Sequence, residues 1–256
     1  MKKKIEQISG DLAQRLSGFE EVEAITLAEA PGEETTDPYF FISLDVYYRE
    51  SFPDAPSRER LFFDAGAFET SSVAAKDRFL IDGLPVRVEY KDVARIEGIL
   101  GKIERNLWVF RQTGTYMFFR LENASVLFKR SLWIDFVREE LKALPDSFWA
   151  LLRRASQATM EHYLSDLSAA VARGDSFFYL VSLAGFVKSA CSMLFVFNQR
   201  FEPSGRVLAE RIFELPRLPE HFKGRFESLL QEDSEFPAAR KREVAELLAR
   251  SLIAME

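Results

Sequence analysis

Cysteine and histidine are almost absent from this chain, and several kinds of chemistry are excluded with them. The single cysteine, Cys191, rules out an internal disulfide and fits a reducing compartment. Two histidines, His162 and His221, leave no histidine-rich metal site, so any metal would be held by oxygen, which favours magnesium or manganese over zinc. An excess of positive charge is missing too. Thirty-four Lys and Arg against 40 Asp and Glu give a net charge of −6, so no overall basic field draws nucleic acid, which is disfavoured as a partner. The basic start, Met1 to Lys4, is followed by Glu6, Gln7 and Asp11 instead of the apolar run of a secretory leader, and a cytoplasmic location is expected. Neither a P-loop nor a Ser-His-Asp arrangement is present.

What is there is ordinary in bulk. At 256 residues, 47% hydrophobic and 29% charged, the chain can bury one large core or two small ones. One apolar run, Phe177 to Phe197, has the length of a membrane span and a single charge. That charge, Lys188, lies near its middle, where insertion would cost about 2.5–3.5 kcal/mol. Ser182, Gly185, Ser189 and Ser192 form a small, polar stripe at helical spacing. A buried helix is the preferred reading, and no membrane partner is expected.

The sharpest strand pattern lies in Phe40–Tyr48 (FFISLDVYY) and in Val86–Tyr90 (VRVEY). Alternation sends Ile42, Leu44 and Val46 to one face and Phe41, Ser43, Asp45 and Tyr47 to the other; in the second run Arg87 and Glu89 share a face. Paired, the two strands gather Ser43, Asp45, Arg87 and Glu89 on one side of an otherwise apolar sheet. Around them, Ile5–Leu16 reads as an amphipathic helix, Val22–Ala28 as a strand, and residues 29–38 as an acidic loop. Ser51–Ser57 reads as a connection, and Arg60–Thr70 as either a short helix or irregular chain. Phe79–Tyr90 reads as a hairpin turning at Asp82 and Gly83, with Asp92 capping a helix over Val93–Asn106. Strand signals fade after Gly114. Tyr116–Phe128, Ser131–Leu144, Asp146–Ala172, Ser176–Phe201, His221–Leu230 and Ala238–Ala254 all read as helical, with a turn at Arg173, Gly174 and Asp175. The expected fold is α+β: a small mixed-sheet domain over residues 1–112 and an all-helical bundle over 113–256.

This order of elements, a helix, a strand, a loop, an acid-bearing strand and a hairpin with a further acid, resembles the nucleotidyltransferase fold of the DNA polymerase β superfamily. In the helical half, Arg173, Gly174 and Asp175, then Leu194, Phe195, Asn198, Phe201, Pro203 and Arg206, resemble bacterial nucleotidyltransferase-like proteins related to the aminoglycoside nucleotidyltransferases. Active members of that superfamily carry a Gly-Ser turn after the first strand, Asp-x-Asp on the next and a third acid on a neighbour. The three acids cage two magnesium ions that clamp a nucleoside triphosphate. Here the turn offers Glu29, Glu33 and Glu34 where phosphate would lie. A like-charge contact at 4 Å costs about 1 kcal/mol in water and about 4 near a protein surface. The two aspartate positions fall on Phe41 and Ser43, or, shifted by two, on Ser43 and Asp45. Only one acid is supplied, and Arg87 shares the face of the third-acid candidate Glu89.

Two readings follow. In the preferred one, transfer is lost or weakened and the protein binds a nucleotide, a small molecule or a protein in the cleft between domains, with no cofactor. In the other, Asp45 and Glu89, helped by Glu29 or Asp37, hold Mg2+ and catalyse transfer from an NTP. Ser43, Arg87 and Lys188 are the candidate substrate or phosphate contacts. Each has a plainer role: Asp45 paired with Arg87 between strands, Ser43 a small residue on a half-buried face, Lys188 snorkelling to solvent. Glu161, His162 and Asp166 share one helix and are candidates to face the cleft. Asn198 is expected to tie backbone at a helix end, Cys191 to be inert, and Arg153, Arg154, Arg200 and Arg211 to form solvated faces.

Overall fold

In the computed structural model, residues 2–28, 41–71, 75–106, 109–110, 114–231 and 236–255 are described. Helix α1 (Lys2–Leu16) buries Ile5, Ile8, Leu12 and Leu16, the stripe its three- and four-residue spacing sets out. Strands β1 (Val22–Ala28) and β2 (Ile42–Tyr48) follow. The stretch expected to be a bare connection instead starts helix α2 (Ala55–Leu61). Asp54 accepts the Ser57 N–H as N-cap, and Pro56 sits in the first turn, where its missing N–H costs nothing. The rest of the undecided stretch enters β3 (Gly66–Ser71). Strands β4 (Lys76–Ile81) and β5 (Leu84–Asp92) make the expected hairpin. Asp82 and Gly83 have φ of 50° and 76°, the pair of positive values that a tight two-residue turn needs. Asp92 caps helix α3 (Val93–Leu100), which ends at Gly101, earlier than expected.

Tyr116–Phe128 is not one helix. It divides into α4 (Tyr116–Asn123) and a strand, β6 (Ser125–Lys129), which pairs antiparallel with β1. Then come α5 (Trp133–Lys142), α6 (Asp146–Arg173) and α7 (Ser176–Phe197). Gly174, left-handed at φ 64°, ends α6, and Asp175 caps α7 by accepting the Phe178 N–H. A short helix α8 (Leu208–Arg211), α9 (Phe222–Leu230) and α10 (Ala238–Ile253) close the chain.

The sheet order is β3-β4-β5-β2-β1-β6. β2 and β5 run parallel, joined through α2, β3 and β4, while the other neighbours are antiparallel. The fold is α+β, a mixed sheet with a large helical complement. It divides into two compact units, one of residues 1–102 with 120–143, the other of 103–119 with 144–256. A single cut near residue 112 does not describe this, because β6 carries the chain back to the sheet.

In the sheet unit, α1 covers a core that includes Ile25, Leu44, Val46 and Val88. A buried Arg58–Asp77 pair sits near it, with Nε 2.8 Å from Oδ2. The guanidinium sits beside the stacked rings of Phe52 and Tyr90, 4.8 and 5.0 Å from their centroids, and Tyr90 donates to Asp77 at 2.7 Å. In the helical unit, Met160, Leu167, Phe186, Leu194 and Leu248 are central. α7 has the length and composition of a membrane span, yet half of its apolar window is buried against this core. Its small-residue stripe is a helix seam. A Cβ on Gly185 would stand 2.3–2.6 Å from ring carbons of Tyr163 on α6, so any other residue there forces the ring or the helix to shift.

Candidate functional site

The face of the sheet opposite α1 carries the polar residues. Parallel pairing sets Ser43 beside Arg87, Asp45 beside Glu89 and Tyr47 beside Lys91. The expected cluster is therefore brought together, and the alternation of β5 extends it by one residue to Lys91.

Asp45 is fully buried, and its partner comes from 75 residues away. Arg120, on α4 and 2% exposed, grips it with two parallel bonds: Nη2 to Oδ1 at 2.6 Å and Nε to Oδ2 at 2.7 Å. The same Nη2 reaches Ser43 Oγ at 3.1 Å, and Nη1 stands 3.8 Å from Glu89 Oε2. Lys91 adds a second cation, with Nζ 2.8 Å from Asp45 Oδ2 and 4.0 Å from Glu89 Oε2. The Tyr47 hydroxyl donates to the same Oδ2 at 3.4 Å. Glu89, 22% exposed, also has Lys76 at 3.2 Å and Arg87 at 3.4 Å.

The expected Asp45–Arg87 pair does not form. Register puts Arg87 next to Ser43, to which it donates at 3.0 Å while its guanidinium stacks over Phe41. Asp45 is taken by the geometrically stronger bidentate partner. The electrostatics follow from this packing. Burial pushes the Glu89 carboxyl up, but the charges of Arg120, Lys91, Arg87 and Lys76 outweigh it and hold the group below its usual range. Burial pushes the Lys91 ammonium down, and Asp45 only partly restores it. Burial likewise drives the Tyr47 phenol well up, with the nearby charge of Asp45 acting in the same direction.

These residues do not fit a divalent cation. Both Asp45 oxygens are held by cationic donors, and a guanidinium and an ammonium bridge the two carboxylates where a metal would have to sit. Among the described residues, no three or more His, Cys, Asp or Glu side chains gather as metal ligands. Glu29, Glu33, Glu34 and Asp37 lie outside the described residues.

Lys188 belongs to the helical unit, where it lines a cavity of about 470 Å³ together with Glu202. Asn198 ties backbone, as expected. Its amide donates to the carbonyls of Leu194 and Arg217 and accepts the Arg217 N–H. Cys191 is buried, and burial pushes its thiol up to about 12, so it is unreactive. His162 lies 3.4 Å from Asp166 on the exposed side of α6.

A mixed sheet with an acid-bearing parallel pair, followed by a long-helix unit, defines the class of fold. The solved structures place it. The chain is similar to the crystal structure of a nucleotidyltransferase-like protein from Exiguobacterium sibiricum 255-15, with a TM-score of 0.51, 14% identity, and coverage of 97% of this chain and 74% of that one. This chain therefore has a nucleotidyltransferase-like fold. No family model and no curated protein matches it.

Two residues of the site escape sequence reading. Lys91 is legible once the alternation of Arg87 and Glu89 is carried one step further. Arg120 leaves no local signal: it is one arginine in a short helix, and only the return of β6 to the sheet brings it near Asp45.

Proposed function

We propose that this protein keeps a nucleotidyltransferase-like scaffold without the transfer reaction and acts by binding, with a nucleotide, a small molecule or a protein as its partner. Neither Mg2+ nor an NTP serves as a cofactor in this role. The observation that carries the proposal is the bidentate Arg120–Asp45 pair with Lys91 beside it. Two-metal transfer needs carboxylate oxygens converging on an open space. Here a buried carboxylate is already neutralised. Pulling Arg120 away to admit a metal would break a buried bidentate ion pair, at a cost of about 3–5 kcal/mol.

The test is label transfer from α-labelled ATP, with magnesium and then manganese, to water, small molecules or the protein itself. Wild type and Asp45→Asn are expected to be equally inactive. Robust transfer by wild type that Asp45→Asn abolishes would overturn the proposal and favour the Asp45–Glu89 enzyme.

A further inference from the structure

The cavity in the helical unit is unlike the sheet site in charge and in wall chemistry. Its charged lining is one ammonium, Lys188, and one carboxyl, Glu202. Glu202 is held in place from two sides. Its backbone N–H donates to Thr115 Oγ1 at 2.8 Å, and its carboxyl is hydrogen-bonded by Ser192. Lys188 and Ser192 both lie on α7, one turn apart on the same face, so the Ser192 bond brings the Glu202 carboxyl to the side of the helix that carries Lys188. The two charges interact through space, yet no ion pair joins them among the described residues. Apolar wall is supplied by Phe110, Leu152 and Val196. The Tyr163 ring, seated on Gly185, fixes another side.

This lining selects by charge. A triphosphate or other polyanion would meet one favourable ammonium and one opposed carboxylate. A simple cation would meet the reverse. A neutral molecule would gain only ordinary hydrogen bonds, about half as strong as charge-assisted ones. A molecule that carries both signs a few ångströms apart satisfies both groups. Burial pushes the Glu202 carboxyl up, against the pull of Ser192 and Lys188, so an arriving cation relieves a cost already present.

We propose that this cavity binds a small zwitterion of amino-acid type with an apolar side group, its carboxylate at Lys188, its ammonium at Glu202 and its side group against Phe110, Leu152 and Val196. The proposal rests on the reading of the protein as a binder and names the chemical class of one ligand.

The test is calorimetry on the full chain near pH 7.5 with three probes: phenylalanine, phenylalaninamide (no carboxylate) and N-acetylphenylalanine (no ammonium). Phenylalanine is expected to bind, and each of the others to bind at least about tenfold more weakly, since a hydrogen bond to a charged group is worth about 1.5–3 kcal/mol. Lys188→Ala should erase the preference over the amide, and Glu202→Gln the preference over the acetylated acid. Lys188 is exposed, so its replacement is safe for folding even if the Glu202 variant is not. No binding by phenylalanine, equal binding of all three probes, or a Lys188→Ala protein that still discriminates against the amide would overturn the proposal. Nucleotidyl transfer alongside intact phenylalanine binding would overturn only the loss of transfer. Absence of both would overturn only the ligand assignment.

Discussion

Asp45 shows how one partner decides what a carboxylate can do. On an open strand face it would be a ligand or a base. Clamped by Arg120 and touched by Lys91, it is the buried half of an ion pair. Removing Arg120 would break the bidentate pair and leave Lys91 as the remaining cation on that buried charge, so Arg120→Ala is expected to lose about 3 kcal/mol of stability at neutral pH. Glu89 adds a pH signature. Its carboxyl is held low in the folded state, so it contributes stability above its unfolded value near pH 4.3, and that stability is lost as pH falls through the folded value. Arg120 is the strongest of the charges that hold it there. Denaturant melts of both proteins between pH 3 and 7 check the two effects together: a lower plateau and a shallower acid decline in Arg120→Ala. The four-residue cluster was legible from alternation alone, because a two-residue period fixes faces. Its partner was not, because no period links residue 45 to residue 120.

Glycine has opposite consequences in two helices. Gly185 on α7 lies under the Tyr163 ring, whereas nothing lies within 4 Å of a Cβ placed on Gly98 of α3. Replacing an exposed helical glycine by alanine gains about 0.4–1 kcal/mol. Forcing a methyl into a filled seam costs about 1–3 kcal/mol, which wins. Gly98→Ala should therefore raise the melting temperature and Gly185→Ala lower it, a comparison that thermal denaturation settles in one run. Most helices and their stops could be read directly, since Asp92, Asp175, Gly174 and the Asp82–Gly83 turn act through neighbours in sequence. β6 could not. Its five residues carry too few alternations to outweigh the helical signal of Tyr116–Asn123 before it, and what makes it a strand is the free edge of β1.

The two units interleave along the chain, and this changes what a fragment can do. Residues 1–112 have β1 as an uncovered edge and Asp45 without Arg120. Residues 1–143 restore both. The shorter fragment is expected to show no cooperative unfolding transition and to aggregate through its exposed edge, and the longer one to unfold cooperatively, as followed by circular dichroism in urea. Because β6 arrives so late, the order of synthesis matters as well. At about 5–20 residues per second, a ribosome needs several seconds after making Asp45 before it supplies the arginine that neutralises it. For that interval Asp45 has Lys91 as its one cation from the sheet, and β1 keeps an open edge until β6 is translated.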